Sequence, residues 1–449
     1  MTPKDKTDLL AQVLKASKGI LHLGAHYGQE AASYASQNKP VVWVEAMPDI
    51  YKKLAQNIAE YSQQKALCAL LGDVNGKQNT FYISNNSNGV SSSIYEFGSY
   101  AAGDHSLWPE LGLTMIDSIT LPMLRLDSLL TANAIDAKQY DYWIVDLQGA
   151  ELLALKGAGE SLTKCTAMYI EVSTAEVYKG GVLWPILQDY LFKNGLIPLW
   201  QPSNIHDDIL FIRETTLDAA KAKFHSTPYL RHNQRRLEHL ASLGLGLALA
   251  HKSVLEIGAG VGDHSTFYLD RECSVLITEG RYENLAQLQI RYVNEPKARV
   301  KFLDVDQPFN LAQQFEVVHC YGLLYHLNNP LNAIKQLAEH TEGLLILETC
   351  VSYGNEAEIN PVNEDHLDVT QALHGLGCRP TRPWIWEQLT ANFPYVYSTV
   401  TQPAHKEFPL LWDITLENTT LTRAVFIASR FDLSANKNLI PYLPTSQAR

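Results

Sequence analysis

Ser253-Val-Leu-Glu256-Ile-Gly258-Ala-Gly260-Val-Gly262 is the stretch whose reading decides the fold. An apolar run of strand length closes in a glycine-rich turn, and helical sequence follows through Tyr268. That order is the opening of an open α/β sheet. A second apolar strand, Ser274-Val-Leu-Ile-Thr278-Glu279, ends in an acid. The same pattern stands near the start of the chain. Gly19-Ile-Leu-His22-Leu-Gly24-Ala-His26-Tyr-Gly28 leads into helical sequence from Gln29 to Ala35, and Val41-Val-Trp-Val44-Glu45 follows. The spacing from Gly24 to Glu45 equals that from Gly258 to Glu279. A βαβ unit is therefore repeated, and a duplicated architecture accounts for it better than chance.

Working outward, Tyr142-Trp-Ile-Val145-Asp146 and Ala167-Met-Tyr-Ile-Glu171 read as buried parallel strands, and Ile209-Leu-Phe-Ile-Arg213 as the last strand of the first half. In the second half Phe315-Glu-Val-Val-His319 and Gly343-Leu-Leu-Ile-Leu347 are strands, and Ala424-Val-Phe-Ile-Ala428 closes the sheet. Alternating β and α segments imply two tandem Rossmann-like, doubly wound α/β sheets. The expected domains are residues 1–215 and 251–449, joined by a helical connector over 216–250. The connector's Lys221, Lys223, Arg231, Arg235 and Arg236 read as a solvated basic face.

The turn and acid suit an adenosine ligand. Glycines let the backbone approach a nucleoside, and the acid accepts hydrogen bonds from both ribose hydroxyls. Candidate ligand-binding residues are thus Gly24, His26, Gly28 and Glu45 in the first domain. In the second they are Glu256, Gly258, Gly260, Gly262 and Glu279. A dinucleotide site needs a further glycine three places after the second, to pack tightly around a pyrophosphate. Asp263 occupies that place, which argues against a nicotinamide enzyme. The Glu-x-Gly-x-Gly-x-Gly run resembles the first motif of class I methyltransferases, whose sulfonium cofactor, S-adenosyl-L-methionine, has no pyrophosphate.

In the first domain the wider set carries the resemblance: His22-Leu-Gly24-Ala-His26-Tyr-Gly28-Gln-Glu30, Val44-Glu45-Ala-Met-Pro48, Ser91-Ser-Ser-Ile94 and Leu124-Arg-Leu-Asp127. Then come Val145-Asp146-Leu-Gln148-Gly149-Ala-Glu151, Leu155-Lys-Gly157 and Ile170-Glu171-Val. This ordered set is similar to the FkbM family, which methylates hydroxyl groups of natural products and saccharides. The family pattern usually has Glu where Gln148 stands, which leaves the charge at that position open. The middle glycine of the turn is replaced by His26, and the leading acid by His22. These two histidines flank a strand-to-loop turn and not a helix face, so no metal is expected.

Methyl transfer to an alcohol needs alignment and removal of the hydroxyl proton. Such groups sit beyond the carboxyl ends of the strands. Asp146 and Glu171 end two strands of the first domain and are its candidate catalytic groups, with capping or loop hydrogen bonding as the alternative. In the second domain Tyr325-His326-Leu-Asn-Asn-Pro330 is similar to a segment of several class I methyltransferases, including ones that modify wobble uridine in tRNA. His326 is the candidate base, its ordinary pKa being suited to neutral pH; a histidine packing against the sheet is the alternative. The resemblance places Asp304 at the adenine amino group. Arg379, Arg382, Trp384, Tyr397, His405 and Trp412 combine rings and guanidinium groups able to hold a sugar, a base or an anionic acceptor, or simply to form a packed lid.

The chain has 449 residues, 46% hydrophobic and 19% charged, enough to bury two apolar interiors. Its formal net charge of −12 argues against a nucleic-acid partner held by bulk electrostatics. Leu243–Ala250, the most apolar window, falls short of the ~20 residues of a membrane span. The N-terminus lacks a signal-peptide core. Six scattered cysteines read as free thiols, so a cytoplasmic location is expected. The resulting expectation is a tandem O-methyltransferase acting on a small-molecule or glycan acceptor. Two rivals stay open: tRNA modification by the second domain, and a non-catalytic docking role for one domain.

Overall fold

The computed structural model describes residues 2–98, 112–412 and 421–449. The chain forms two compact units, Lys6–Thr216 and Leu217–Arg449, and residues 2–5 group with the second.

In the first unit the strands are β1 (Ile20–Leu23), β2 (Val41–Glu45), β3 (Gln64–Cys68), β4 (Leu70–Leu71), β5 (Gln78–Ser84), β6 (Met115–Leu124), β7 (Tyr142–Val145), β8 (Ala167–Ser173), β9 (Leu196–Pro198) and β10 (His206–Arg213). Seven of them form one sheet in the order β3-β2-β1-β7-β8-β10-β9. The neighbours from β3 to β8 are parallel, while β10 runs antiparallel between β8 and β9. β1 and β2 are buried along their whole length, as strands covered on both faces must be. Trp43 and Trp143 fill the core without solvent contact. β4, β5 and β6 make a small separate sheet.

The second unit repeats the plan. Its strands are β11 (Ser253–Ile257), β12 (Ser274–Glu279), β13 (Ala298–Phe302), β14 (Phe315–Tyr321), β15 (Thr341–Val351), β16 (Ile359–Asn363), β17 (Leu376–Pro380), β18 (Tyr395–Thr399), β19 (Thr422–Ser429) and β20 (Leu439–Ile440). The main sheet has the order β13-β12-β11-β14-β15-β19-β18-β20, again with the strand beyond β15 antiparallel. Both faces are covered, and the period of two is visible in the core. Val317, Leu344, Ile346, Val425 and Ile427 pack on one side, while Val318, Leu345, Leu347 and Phe426 pack on the other. In both sheets the first strand lies at the point where strand order reverses, which is where open α/β sheets bind ligands.

The expected connector over 216–250 is not a separate linker. Its helices, Asp218–Phe224 and Thr227–Leu247, lie within the second unit, and Leu240, Leu243 and Leu247 join that unit's core. Nor is its basic run a uniformly solvated face. Lys223 pairs with Asp368, and Arg236 turns inward to meet Glu348. All six cysteines are free, and five are buried. Among the described residues no helix is long and apolar enough to cross a membrane.

Candidate active sites

In the second domain Gly258, Gly260 and Gly262 all take positive φ, at +66°, +58° and +82°. The turn they make presents the Gly260 N–H to Glu279 Oε2 at 2.8 Å. Glu279 Oε1 accepts from the N–H groups of Gly280 and Arg281, at 2.9 and 3.0 Å. Three backbone donors thus orient the carboxylate at the end of β12. Burial still outweighs them and raises its pKa.

The first domain reproduces this geometry with different residues. Glu45 Oε2 accepts from the His26 N–H at 2.9 Å, and Oε1 accepts from Met47 N–H at 2.8 Å. His26 adopts φ +44°, so it occupies the left-handed position that Gly260 holds in the other turn. A Cβ on Gly24 would stand 1.7 Å from the carbonyl oxygen of Asp146, so only glycine fits there. Burial pushes the Glu45 carboxyl up to about 7, against the pull of its backbone donors. His22 is buried and stacked on Trp43 at 4.7 Å, while the His26 ring packs on Tyr27 at 4.0 Å. The two imidazoles therefore serve different neighbours.

Asp146 directly follows β7, whereas Glu171 lies inside β8, which runs on to Ser173 because β10 pairs with it that far, so it does not end its strand as the sequence suggests. The two acids are brought together by the residue that departs from the family pattern. The amide nitrogen of Gln148 donates to Asp146 and, at 3.0 Å, to Glu171 Oε2. Tyr178 Oη donates to the same amide's oxygen. His206, which sequence reasoning missed, contacts Glu171 Oε1 at 2.6 Å and Ser173 Oγ at 3.0 Å. Burial, then the proximity of other carboxylates, raises both acids well above the ordinary range.

A cleft of about 1560 Å³ borders the second turn and takes in Glu256, Glu279, Asp304, His326, Arg236 and Arg423. Glu256 is pushed up to about 8 by burial and accepts from the Ser265 hydroxyl, so it braces the helix after the turn. Asp304 Oδ2 meets His374 Nε2 at 2.9 Å. His326 Nδ1 lies 2.5 Å from Glu364 Oε2. Glu364 also accepts from Ala372 N–H at 2.7 Å and from Arg379 Nη2 at 3.1 Å. Burial lowers the His326 pKa, and its hydrogen bond to Glu364 opposes that shift. No sequence signal pointed to Glu364, which lies in the β16 hairpin region far along the chain. Nor did any mark the buried Arg236–Glu348–Arg423 array, in which each guanidinium takes one carboxylate oxygen at 3.0 Å. In the first domain the corresponding cavity is small, about 80 Å³, and is lined by Gly24, His26, Glu45, Asp146 and Gln148 among others.

Three carboxylate–imidazole groups in the second domain bring their ligand atoms within 4.8 Å of one another: His232–His405–Glu407, Glu256–His264–His319 and Asp304–Asp306–His374.

Strand order, left-handed turn and the glutamate that accepts the turn's N–H together define a class I, S-adenosyl-L-methionine-dependent methyltransferase architecture, present twice. Residues 22–208 match the methyltransferase FkbM domain, and residues 229–381 match a second methyltransferase domain. The chain is thus an FkbM-family methyltransferase domain followed by a second methyltransferase domain, and its cofactor is S-adenosyl-L-methionine. No curated protein matches significantly. Among solved structures, the N-terminal domain of EvdMO1 with S-adenosylhomocysteine (SAH) and D-fucose is 20% identical, covering 44% of this chain and 83% of its own, at TM-score 0.35. Magnesium protoporphyrin IX methyltransferase from Synechocystis PCC 6803 is 15% identical, covering 55% and 99%, at TM-score 0.33. The glycopeptide N-methyltransferase MtfA is 14% identical, covering 43% and 89%, at TM-score 0.30.

Proposed function

We propose that the protein is a cytoplasmic tandem O-methyltransferase that acts on hydroxyl groups of a saccharide or natural product, with one cofactor site in each domain. The observation that carries the two-site reading is the matched pair of contacts, His26 N–H to Glu45 and Gly260 N–H to Glu279. In each domain a left-handed residue turns its N–H onto the glutamate and leaves the carboxylate's remaining lone pairs for ribose hydroxyls. Glu45 with Gly24 and Gly28, and Glu279 with the turn Gly258–Gly262, are the proposed cofactor cradles, with Asp304 at the adenine end. When bound, the cofactor supplies an activated methyl group.

The chain's own part is alignment and proton removal. In the second domain Glu364 holds His326 by Nδ1, which leaves Nε2 to take a proton from an acceptor hydroxyl. In the first domain the Asp146–Gln148–Glu171 group holds the acceptor hydroxyl and takes its proton.

Calorimetry with SAH tests the reading through its stoichiometry of two. A second reading, a docking role for the first domain, is favoured by one observation. Its cavity of about 80 Å³ is far below the ~300 Å³ at which ligand pockets begin. A stoichiometry of one, lost on Glu279→Ala and kept on Glu45→Ala, would select that alternative.

A further inference from the structure

Between β16 and β17 the chain makes a connection, residues 364–375, far longer than the ~2–5 residues of an ordinary hairpin loop. A buried side chain from elsewhere in the domain holds it. The Arg281 guanidinium donates to the His366 carbonyl at 3.0 Å, to the Gln371 carbonyl at 2.9 and 3.3 Å, and to the Ala372 carbonyl at 3.0 Å. All four bonds go to main-chain oxygens rather than to a carboxylate. Nor does the helix Tyr282–Arg291, which Arg281 precedes as N-cap, call for the charge, since a cation is disfavoured at that end of a helix dipole. The segment 364–375 is what this cation serves.

The peptide group between Gln371 and Ala372 faces two ways, because the C=O and N–H of a trans peptide point to opposite sides. Its carbonyl takes two N–H groups of Arg281, and its N–H donates to Glu364 Oε2 at 2.7 Å. The same carboxylate oxygen lies 2.5 Å from His326 Nδ1. A continuous series therefore runs from the guanidinium through one peptide and one carboxylate to the imidazole. Charged donors on the carbonyl polarise the peptide and strengthen the bond that its N–H gives, as hydrogen bonds in series do inside a protein. The Glu364 side chain is 2% exposed, so protein partners and not water set its orientation. Arg379 Nη2 fixes its other oxygen at 3.1 Å. With the carboxylate so held, a neutral His326 carries its ring hydrogen on Nδ1, since the bond made by one ring nitrogen decides the tautomer.

We infer that Arg281 is a positioning residue for methyl transfer in the second domain: through the Gln371–Ala372 peptide it sets Glu364, and through Glu364 the tautomer of His326. The same residue also serves the cofactor side. Its main-chain N–H donates to Glu279 Oε1 at 3.0 Å, so one residue orients both the glutamate proposed for the ribose and the histidine proposed for the acceptor. A second side chain anchors the segment at a different carbonyl, with Asn284 Nδ2 donating to Val369 at 3.2 Å. That anchor lies outside the series that ends on His326. The inference rests on the reading of His326 as the base.

Histidine 15N spectra of the full chain, recorded above neutral pH, report which ring nitrogen carries hydrogen, and the His326 signals are those lost in His326→Ala. In the wild type His326 should hold its hydrogen on Nδ1. Arg281→Gln removes the charge and the fork of donors, and should move the ratio of the two tautomers by about tenfold or more towards Nε2–H. Asn284→Ala loosens the segment without touching the Gln371–Ala372 peptide and should leave the ratio unchanged, which separates positioning from a merely structural tie. Arg281→Lys keeps the charge but not the fork, and gives the same reading with a smaller shift where Arg281→Gln fails to fold by circular dichroism. A folded Arg281→Gln, or Arg281→Lys in its place, that keeps the wild-type ratio would overturn the inference. So would an equal shift in Asn284→Ala. A wild type with the His326 hydrogen on Nε2 would instead overturn the reading of His326 as the base.

Discussion

Replacing Glu279 by Gln changes one oxygen for an NH2 group and keeps the shape, so it isolates the work of the carboxylate. In the wild type Oε2 receives Gly260 N–H at 2.8 Å, and Oε1 receives those of Gly280 and Arg281 at 2.9 and 3.0 Å. If the amide oxygen faces Gly280 and Arg281, its NH2 confronts the Gly260 N–H and pushes the glycine turn away. If it is flipped, it confronts the other two. At least one charge-assisted bond is lost either way, at about 1.5–3 kcal/mol. The acceptors for the ribose diol weaken with it. Every 1.4 kcal/mol is a factor of ten, so SAH affinity at this site should fall by about 10- to 100-fold. Calorimetry should show one of two binding events weakened, and Glu45→Gln should weaken the other. A folded Glu279→Gln protein, checked by circular dichroism, that binds SAH at both sites within about threefold of the wild type would refute the reasoning.

Four further outcomes are expected. Gly24→Ala should destabilise the first domain by more than about 3 kcal/mol in denaturant unfolding, because its Cβ would stand 1.7 Å from a backbone oxygen at φ +87°. SAH affinity at the first domain should fall as pH drops below about 7, where Glu45 takes up its proton. Below that value it should fall by roughly tenfold per pH unit, with protons released on binding in paired-buffer calorimetry. The same raised pKa means that Glu45's contribution to the stability of the free domain is fullest below its unfolded value and is lost as pH rises through about 7. His326→Ala should leave SAH affinity at the second domain unchanged and reduce methyl transfer there by about 100-fold or more, measured with radiolabelled cofactor once an acceptor is supplied.

What could be read beforehand was whatever the backbone encodes locally. β1 and β11 announce themselves as apolar runs ending in glycine, and Glu45 and Glu279 lie at fixed distances from them, because a βαβ unit spans a fixed length of chain. Groups assembled by tertiary packing were hidden. Glu364 reaches His326 from a hairpin that carries no chemical signature of its own. Arg236 looked like one more charge in a basic run, since the sequence does not say that its helix turns that side toward Glu348. Gln148 looked like a lost acid. The structure shows that an amide suits this place, since its NH2 satisfies two carboxylates that a third carboxylate would repel.

The helix Asp218–Phe224 also governs how the chain can be cut. Phe224 is 5% exposed, and its ring would lie 3.0 Å from a Cβ at Gly260, so it lines the glycine turn from outside the segment that matches the second methyltransferase domain. A fragment begun at residue 229 would shed that ring and the Lys223–Asp368 pair, leaving the cleft beside the glycine turn open to water. Separate production of the second half therefore has to start no later than Leu217, and a protease that nicks the chain after Phe224 should release cofactor while leaving the sheet intact.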